Sequence, residues 1–338
     1  MIGAPRTRMR LGALLAATGG LVLFVLSIRA AGTETVFEGV RRVGPGIVLV
    51  WLLGGVRAFF RTLAWHLCLG RERRIGIASL FAAYLAGDAL GNVTPFGFLI
   101  SEPSKIVLVR RHIDTPAAIA ALAVENLFYA ATVVVMLVAG TLALLTFAAP
   151  RSVQVAGVAT LTVAVSVAAV IGWIVTTRRR PVTGAVLWMI RRNIAPAYLM
   201  EKLPRIQESG DRIYRFTEER SDALIPIAAL EIGYHVIAVA EIWIVVGLIT
   251  GVAPTLAAAF VLEYVNRTIT TVFQFVPMWL GVDEVATSAA ARIIGAGSAA
   301  GVSLALVRKA RNVFWTAIGL ALLANGGISV RSRVTTAD

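Results

Sequence analysis

Two long stretches of this 338-residue chain contain no ionisable side chain: Leu11 to Ile28 and Ser152 to Thr177. A helix needs about 20 apolar residues to cross a hydrocarbon core of roughly 30 Å. Several such blocks exceed what one soluble core can bury. The chain is also 58% hydrophobic and 15% charged, against roughly 45–50% and about 25% in soluble proteins. We therefore predict an all-α, polytopic transmembrane helical bundle, with residues 1–338 forming a single integral membrane domain.

Hydropathy and helix-breaking residues divide the chain into spans, two broken segments and one long polar loop. The predicted spans cover about 11–28, 45–70, 115–149, 153–176, 224–249, 285–306 and 313–327. The broken segments cover 75–112 and 254–285, and the polar loop, which is expected to be cytoplasmic and partly amphipathic, covers 178–222. Residues 29–44 are predicted to form a short interfacial helix.

Basic residues cluster at the ends of the apolar blocks and give a net charge of +13. This is the positive-inside pattern, so we expect a cytoplasmic N-terminus in the cytoplasmic (inner) membrane of a prokaryote. The first apolar run is longer than a usual signal-peptide core, which favours an uncleaved span. Arg57 and Arg61 are expected to extend toward the cytoplasm, and the trio Arg308, Lys309 and Arg311 to form a cytoplasmic turn.

Composition argues against several other classes of function. No basic groove with interleaved aromatic residues appears, so we expect no nucleic-acid partner. Cys68 is the one cysteine, and the three histidines are far apart in the sequence, so we expect neither a metal site nor another cofactor.

Many ionisable residues lie inside or beside the apolar blocks, where each costs on the order of 2.5–3.5 kcal/mol at a helix centre. Such a number predicts a polar cavity inside the bundle. Some of them can instead form structural pairs, because Glu263 and Arg267 are four residues apart, as are Glu231 and His235. We take Asp88, Glu125, Glu231, His235 and Asp283 as candidates for binding a coupling proton or ion.

The two broken segments share a spacing. Asn92 and Asn266 each precede a proline, and Pro95 and Pro277 each lie seven residues before a glutamate, Glu102 or Glu284. By the span count the first segment enters from the cytoplasm and the second from outside, and paired broken segments in inverted halves indicate a transport site. Freed backbone N–H groups can hold a phosphate, and Lys105, Arg267 and Arg292 can add cationic contacts.

Two stretches resemble a known family. AGDALGNVTPFGFLISEPSKIVLVRR and FVPMWLGVDEVATSAAARIIG are similar to the two signature regions of the flippase-like membrane domain of lysylphosphatidylglycerol synthases and their stand-alone relatives. The resemblance implies two oppositely oriented re-entrant hairpins and movement of a phospholipid or lipid-linked headgroup between leaflets. By position, the resemblance implies that the substrate-binding residues are Asn92, Pro95, Glu102, Lys105, Pro277, Gly281 and Glu284. We add Arg267 because of its charge. The chain departs from the family where Phe98, Leu99 and Ile100 replace small residues.

Three functions follow as alternatives. The first is a lipid flippase or transporter whose partners are membrane lipids, either anionic or lipid-linked. The second is a non-transporting partner of a lipid- or envelope-synthesising enzyme that docks through 178–222, and a homo-oligomer is also open. The third, an intramembrane enzyme using Asp283, Glu284 and His235, lacks a nucleophile–base spacing. No polar segment is long enough for an aminoacyl-transfer domain, so we expect no enzyme.

Overall fold

The apolar blocks form helices wherever no glycine or proline cluster interrupts them. A computed structural model of the chain describes residues 22, 24–70, 75–94, 97–147 and 149–324. Residues 24–31 are helical. The elements that follow are α1 Thr33–Val43, α2 Gly46–Cys68, α3 Ile77–Asn92, α4 Phe98–Val109, α5 Thr115–Leu145, α6 Arg151–Thr176, α7 Pro181–Arg191, α8 Pro196–Glu219, α9 Ser221–Thr250, α10 Leu256–Val272, a 3₁₀ turn Pro277–Trp279, α11 Val282–Ile293 and α12 Ser298–Ala324. Within these described ranges every regular element is a helix, as predicted.

Four of the described helices are long and apolar enough to cross a membrane: α2, α5, α6 and α9. They coincide with the spans predicted at about 45–70, 115–149, 153–176 and 224–249. The first predicted span, 11–28, lies mostly outside the described residues, although its last residues are helical. The interfacial helix predicted at 29–44 corresponds to α1, which buries Val36 and Val43 against the bundle.

The C-terminal part differs from the prediction. In place of separate spans at 285–306 and 313–327 there are a short helix, α11, a turn at 294–297 and one unbroken helix, α12. The basic trio Arg308, Lys309 and Arg311 therefore lies within a helix and not in a cytoplasmic turn. No proline interrupts 298–324, and buried acids from other helices neutralise the three cations, as described below.

Both predicted broken segments contain two short helices that pack against each other. In the first broken segment, α3 and α4 are joined through residues 93–97, of which Pro95 and Phe96 lie outside the described residues. In the second broken segment, α10 ends at Val272, and α11 begins at Val282 after a connection that contains the 3₁₀ turn. Helix α12 packs against both segments, contacting α3 and α11.

Two apolar clusters hold these elements around a shared centre. The first joins α2, α3, α5 and α9 through fully buried Trp65, Leu80 and Ile227. The second joins α9, α10 and α12 through Val245, Leu262 and Leu304. Helices α2 and α9 pack along each other.

The polar loop forms two helices, α7 and α8, which agrees with the predicted amphipathic character. Val186 is buried while Trp188 on the same helix is 55% exposed. Helix α8 packs beside α5, and ion pairs between Arg178 and Glu218 and between Arg180 and Asp211 connect it to the end of α6. Helix α8 also contributes to the first apolar cluster, in which Phe216 is buried.

Candidate functional site

A cavity of about 750 Å³ lies between the two broken segments. We call it the central cavity. Helices α2, α5, α9 and α12 complete its wall, and a smaller adjoining space of about 130 Å³ shares part of that wall between α2, α3 and α12. The volume lies within the range of roughly 300–1,000 Å³ typical of ligand sites.

Charged side chains in the wall of the central cavity are mostly cationic. Seven cations line it: Arg57, Arg61, Lys105, Arg267, Arg308, Lys309 and Arg311. Three carboxylates line it with them: Asp88, Glu102 and Asp283. Five further acids are buried behind the wall: Glu125, Glu231, Glu241, Glu263 and Glu284. Five of the seven cations pair with these buried acids, whereas Lys105 and Arg308 pair with carboxylates that line the cavity. The lining therefore carries an excess of positive charge.

Helix α2 contributes two arginines to this wall from one face. Arg57 and Arg61 are four residues apart and therefore lie one turn from each other on the same side of the helix. Arg61 Nε lies 2.6 Å from Glu125 Oε1. Arg57 lies between two acids, with Nη1 3.5 Å from Glu241 and Nη2 4.0 Å from Glu263. Both arginines are over nine-tenths buried, so the predicted extension toward the cytoplasm is wrong.

Two aromatic rings orient the guanidinium groups of the cavity arginines. The Cζ atom of Arg61 lies 3.8 Å from the centre of the Tyr129 ring, and that of Arg57 lies 4.4 Å from the Tyr234 ring. Arg267 Nη1 donates a hydrogen bond of 2.7 Å to Tyr129 Oη. Cation–π contacts with buried rings hold the planar heads in place, so the positive groups are fixed before any ligand arrives.

The first broken segment contributes a buried lysine between two acids. Lys105 Nζ lies 2.9 Å from Asp88 and 3.0 Å from Glu102, and 4.2 Å from the centre of the Tyr84 ring. The Lys105 side chain is 2% exposed, whereas those of Asp88 and Glu102 are 42% and 31% exposed. The carboxylates therefore face the cavity, and the ammonium group lies beneath them.

A close approach of two glycines shapes the connection of the first broken segment. A Cβ atom added to Gly97 would lie 2.3 Å from the carbonyl oxygen of Gly91. Only glycine allows α3 and α4 to meet at this distance. On α3, Asn92 Nδ2 donates a 3.0 Å hydrogen bond to Thr316 Oγ1 of α12.

The second broken segment buries its acids and meets cations from α12. Arg308 Nη2 lies 2.7 Å from Asp283 Oδ1, and Lys309 Nζ lies 2.8 Å from Glu284 Oε1. The other oxygen of Glu284 accepts a 2.8 Å hydrogen bond from the backbone N–H of Gly281. Gly281 has φ 83°, a region that other residues avoid. Its sharp turn sets the start of α11 and so directs both acids toward α12.

A family model described as the lysylphosphatidylglycerol synthase TM region matches residues 10–319. The chain belongs to this family. Comparison with curated proteins and with solved structures finds no match. Family membership and the four long apolar helices together describe a multi-pass membrane protein.

In this chain the two broken segments bring together most of the residues that were predicted for the site. Those that line the central cavity are Asn92, Glu102, Lys105, Arg267 and Pro277, with the ion candidates Asp88 and Asp283. Glu284, Glu125 and Glu231 are buried behind its cations. Pro95 lies outside the described residues.

Three residues that were predicted for the site do not line the central cavity. Gly281 shapes the turn before α11 and lies behind the wall. His235 stacks on Tyr129 at 5.9 Å and lies 3.3 Å from Thr132 Oγ1, so it does not form the predicted pair with Glu231. Arg292 is exposed and does not line the cavity. The predicted pair of Glu263 and Arg267 is confirmed at 2.6 Å.

Sequence reasoning missed the largest group of cavity cations, those of α2 and α12. Arg57 and Arg61, like Arg308 and Arg311, recur at spacings of four and three residues, which place them on one helix face. That periodicity was the available signal. The tyrosines at 84, 129 and 234 carry no comparable signal, because an aromatic residue in an apolar helix is ordinarily core.

Proposed function

We propose that this chain moves a phospholipid or lipid-linked amphiphile between the leaflets of a membrane, with the anionic headgroup passing through the central cavity. One observation carries the proposal: seven cations from α2, α4, α10 and α12 converge on a single cavity of about 750 Å³. Charged side chains inside a membrane are costly, so those that a protein keeps there commonly serve a function. A cationic, hydrogen-bonding wall suits a phosphate group.

The two broken segments support the transport part of the proposal. Non-helical backbone at membrane depth is tolerated where it lines a wet cavity, and both connections border this one. We propose that the segments are re-entrant and enter from opposite faces as an inverted pair, the arrangement that surrounds the substrate in many transporters.

Apolar residues beside the cavity provide a place for acyl chains. Phe98 lines the cavity, and Phe98, Leu99 and Ile100 at the start of α4 are 41–58% exposed. These are the residues at which the chain departs from the small residues expected for its family. A lipid whose headgroup occupies the cavity can keep its tails against this edge.

A proteoliposome assay with a fluorescent phosphatidylglycerol, quenched from one side only, tests the proposal. We expect Arg57→Gln to slow movement between leaflets about tenfold, the effect of losing one charged hydrogen bond. Glu241 retains Arg311 and Glu263 retains Arg267 in this variant, so neither acid is left without a cation. Glu284→Gln should also slow movement.

Arg292→Gln is the matched control, because Arg292 is exposed on α11 outside the cavity. It should transport at the wild-type rate. Equal rates for wild type, Arg57→Gln and Glu284→Gln would contradict the proposal.

A second candidate function is that of a membrane partner for a lipid- or envelope-synthesising enzyme. It is favoured by α7 and α8, which expose Val182, Trp188, Tyr198 and Met200 by 55–65%. Reversing the charges of Arg191 and Arg192 distinguishes the two functions. Loss of envelope-lipid synthesis in cells, with unchanged transport in proteoliposomes, would favour the partner role.

A further inference from the structure

Two acids behind the wall of the central cavity share one arginine. Glu125 on α5 and Glu231 on α9 are both fully buried. Arg61 Nε lies 2.6 Å from Glu125 Oε1 and 3.9 Å from Glu231 Oε1. Within the described part of the chain, Arg61 is the one cation within 4.0 Å of either acid. If both acids were ionised, the three groups together would carry a net charge of −1 in a buried site.

Three of the four carboxylate oxygens of this pair lack a hydrogen bond. They are Glu125 Oε2 and both oxygens of Glu231, none of which has a partner among the described residues. A buried ionised carboxylate without donors is strongly disfavoured. Both acids lie within 4.0 Å of the same nitrogen of Arg61, so the two carboxylates are close to each other. Arg61 offsets one of the two negative charges, and a proton bound by either acid would remove the other.

Among the described residues, none of the other titratable groups near the pair donates a hydrogen bond to these three oxygens. The groups that face it or its arginine are Arg57 and Cys68 on α2, Tyr84 and Asp88 on α3, Lys105 on α4, Tyr129 on α5, and Tyr234 and His235 on α9, with Arg220 at the start of α9. The cations among them are engaged elsewhere. Arg57 lies against Glu241 and Glu263, and Lys105 lies between Asp88 and Glu102.

Arg61 connects this pair to the central cavity. It lines the cavity itself. Its Nη2 donates a 3.1 Å hydrogen bond to Asn126 Oδ1, and Asn126 Nδ2 donates one of 2.9 Å to Glu102 Oε2 at the cavity surface. A continuous polar path thus runs from the cavity to the buried acids.

We propose that Glu125 and Glu231 form a proton-binding site, and that this site takes up one proton from solution as an anionic headgroup binds beside Arg61. The proton moves from the buffer to one carboxylate oxygen, and no bond of the lipid changes. An anion beside Arg61 competes for the positive charge that neutralises the two acids, so it favours the protonated pair. The link rests on the proposed function insofar as the anion is a lipid headgroup.

The sign of the pH dependence follows from this linkage. Because the occupied state binds more protons than the empty state, the affinity for the anion falls as pH rises. The affinity should fall by up to about tenfold per pH unit over the range in which one proton is exchanged.

Isothermal titration of the full-length purified protein with dihexanoylphosphatidylglycerol tests the proposal. The phosphodiester of this probe keeps one negative charge between about pH 5.5 and 8.5, so any proton taken up is bound by the protein. Titrations are repeated across this range in pairs of buffers with different ionisation enthalpies. We expect wild-type protein to take up as much as about one proton per lipid bound.

Two variants locate the proton. Glu231→Gln should still bind the lipid but should lose the uptake and the fall of affinity with pH. Glu263→Gln is the matched control, because both oxygens of Glu263 already accept hydrogen bonds, of 2.6 Å from Arg267 and 3.1 Å from Asn266. It should retain the wild-type uptake, whatever its affinity.

The outcomes separate the two proposals, and the wild-type measurement needs no variant to fold. Lipid binding without proton uptake at every pH would overturn the linkage and leave the proposed function standing. The same uptake in Glu231→Gln as in wild type would also overturn it. An absence of any binding heat would overturn the proposed function and the linkage together.

Discussion

The two broken segments arrange their charges in opposite ways. In the first, α3 and α4 bury a cation, Lys105, and present Asp88 and Glu102 to the cavity. In the second, α10 and α11 bury the acids Asp283 and Glu284, and their cations come from α12. The charged groups of the first segment therefore pair with each other, whereas the acids of α11 depend on cations from another helix. The two segments share the spacing of a proline seven residues before a glutamate. They nevertheless present different charges to the cavity, and only the acids of the second need cations from α12.

The largest expected loss of stability follows from removing a cation that pairs with the second segment. Arg308→Leu leaves Asp283, 8% exposed, with Lys309 at 3.8 Å in place of a hydrogen-bonded guanidinium. We expect a loss of about 3–5 kcal/mol in the free energy of unfolding, as for other broken buried pairs. Denaturant unfolding of the purified protein measures it. The double variant Arg308→Leu/Asp283→Leu should recover most of the loss, and a double variant as unstable as the single one would refute the dependence on α12.

The glycines of the two connections should also resist substitution for different physical reasons. Gly97→Ala forces a Cβ against the Gly91 carbonyl at 2.3 Å, and Gly281→Ala forces a side chain into φ 83°. We expect either to cost about 1–3 kcal/mol, the first through overpacking and the second through backbone strain.

Gly184→Ala in α7 serves as the control for both, because nothing lies within 4 Å of its added Cβ. It should be neutral or slightly stabilising, since alanine favours a helix. Thermal unfolding compares the three variants. A Gly97→Ala variant as stable as wild type would show that α3 and α4 can separate at no cost.

A smaller effect is expected for the cation of the first segment. Lys105→Met leaves two acids that remain partly exposed to the cavity, so water can solvate them. We expect a loss of about 1–2 kcal/mol, between the values for exposed and buried pairs. The same unfolding measurement tests it. A loss equal to that of Arg308→Leu would remove the distinction between the two segments.

The smallest expected effect concerns the acids that face the cavity. Glu102→Gln keeps the shape of the side chain but removes one negative charge from a mainly cationic wall. The affinity for dihexanoylphosphatidylglycerol should rise by about two- to fivefold, or roughly 0.5–1 kcal/mol. Titration calorimetry measures the change. A fall in affinity would indicate instead that Glu102 binds a cationic part of the headgroup.

The sequence was sufficient to predict both interruptions and the charged interior. Clustered Gly and Pro residues at 91–97 and 276–281 cannot continue a helix, and a local rule recognises them. Asp88, Glu102 and Glu263 in apolar stretches are costly enough to indicate a cavity without knowledge of the fold.

The position of the α12 cations could not be predicted in the same way. Arg308 and Arg311 are stabilised by Asp283 and Glu241, which are 25 and 70 residues away. A rule that considers only neighbouring residues finds no partner for these cations and places them in the cytoplasm. The layering of cations over acids is a property of packing between helices, and spacing along one helix reveals only which residues share a face.

Helix α12 also ties the two broken segments to each other. It packs against both, and its polar contacts are the ion pair of Arg308 with Asp283 in the second and the hydrogen bond of Thr316 with Asn92 in the first. Along a rigid rod these two attachments are about 12 Å apart. A movement of one broken segment relative to the other must therefore tilt α12 or break one of the two contacts. The neutral hydrogen bond is the weaker of the two, so we expect it to break before the ion pair if the two segments move apart.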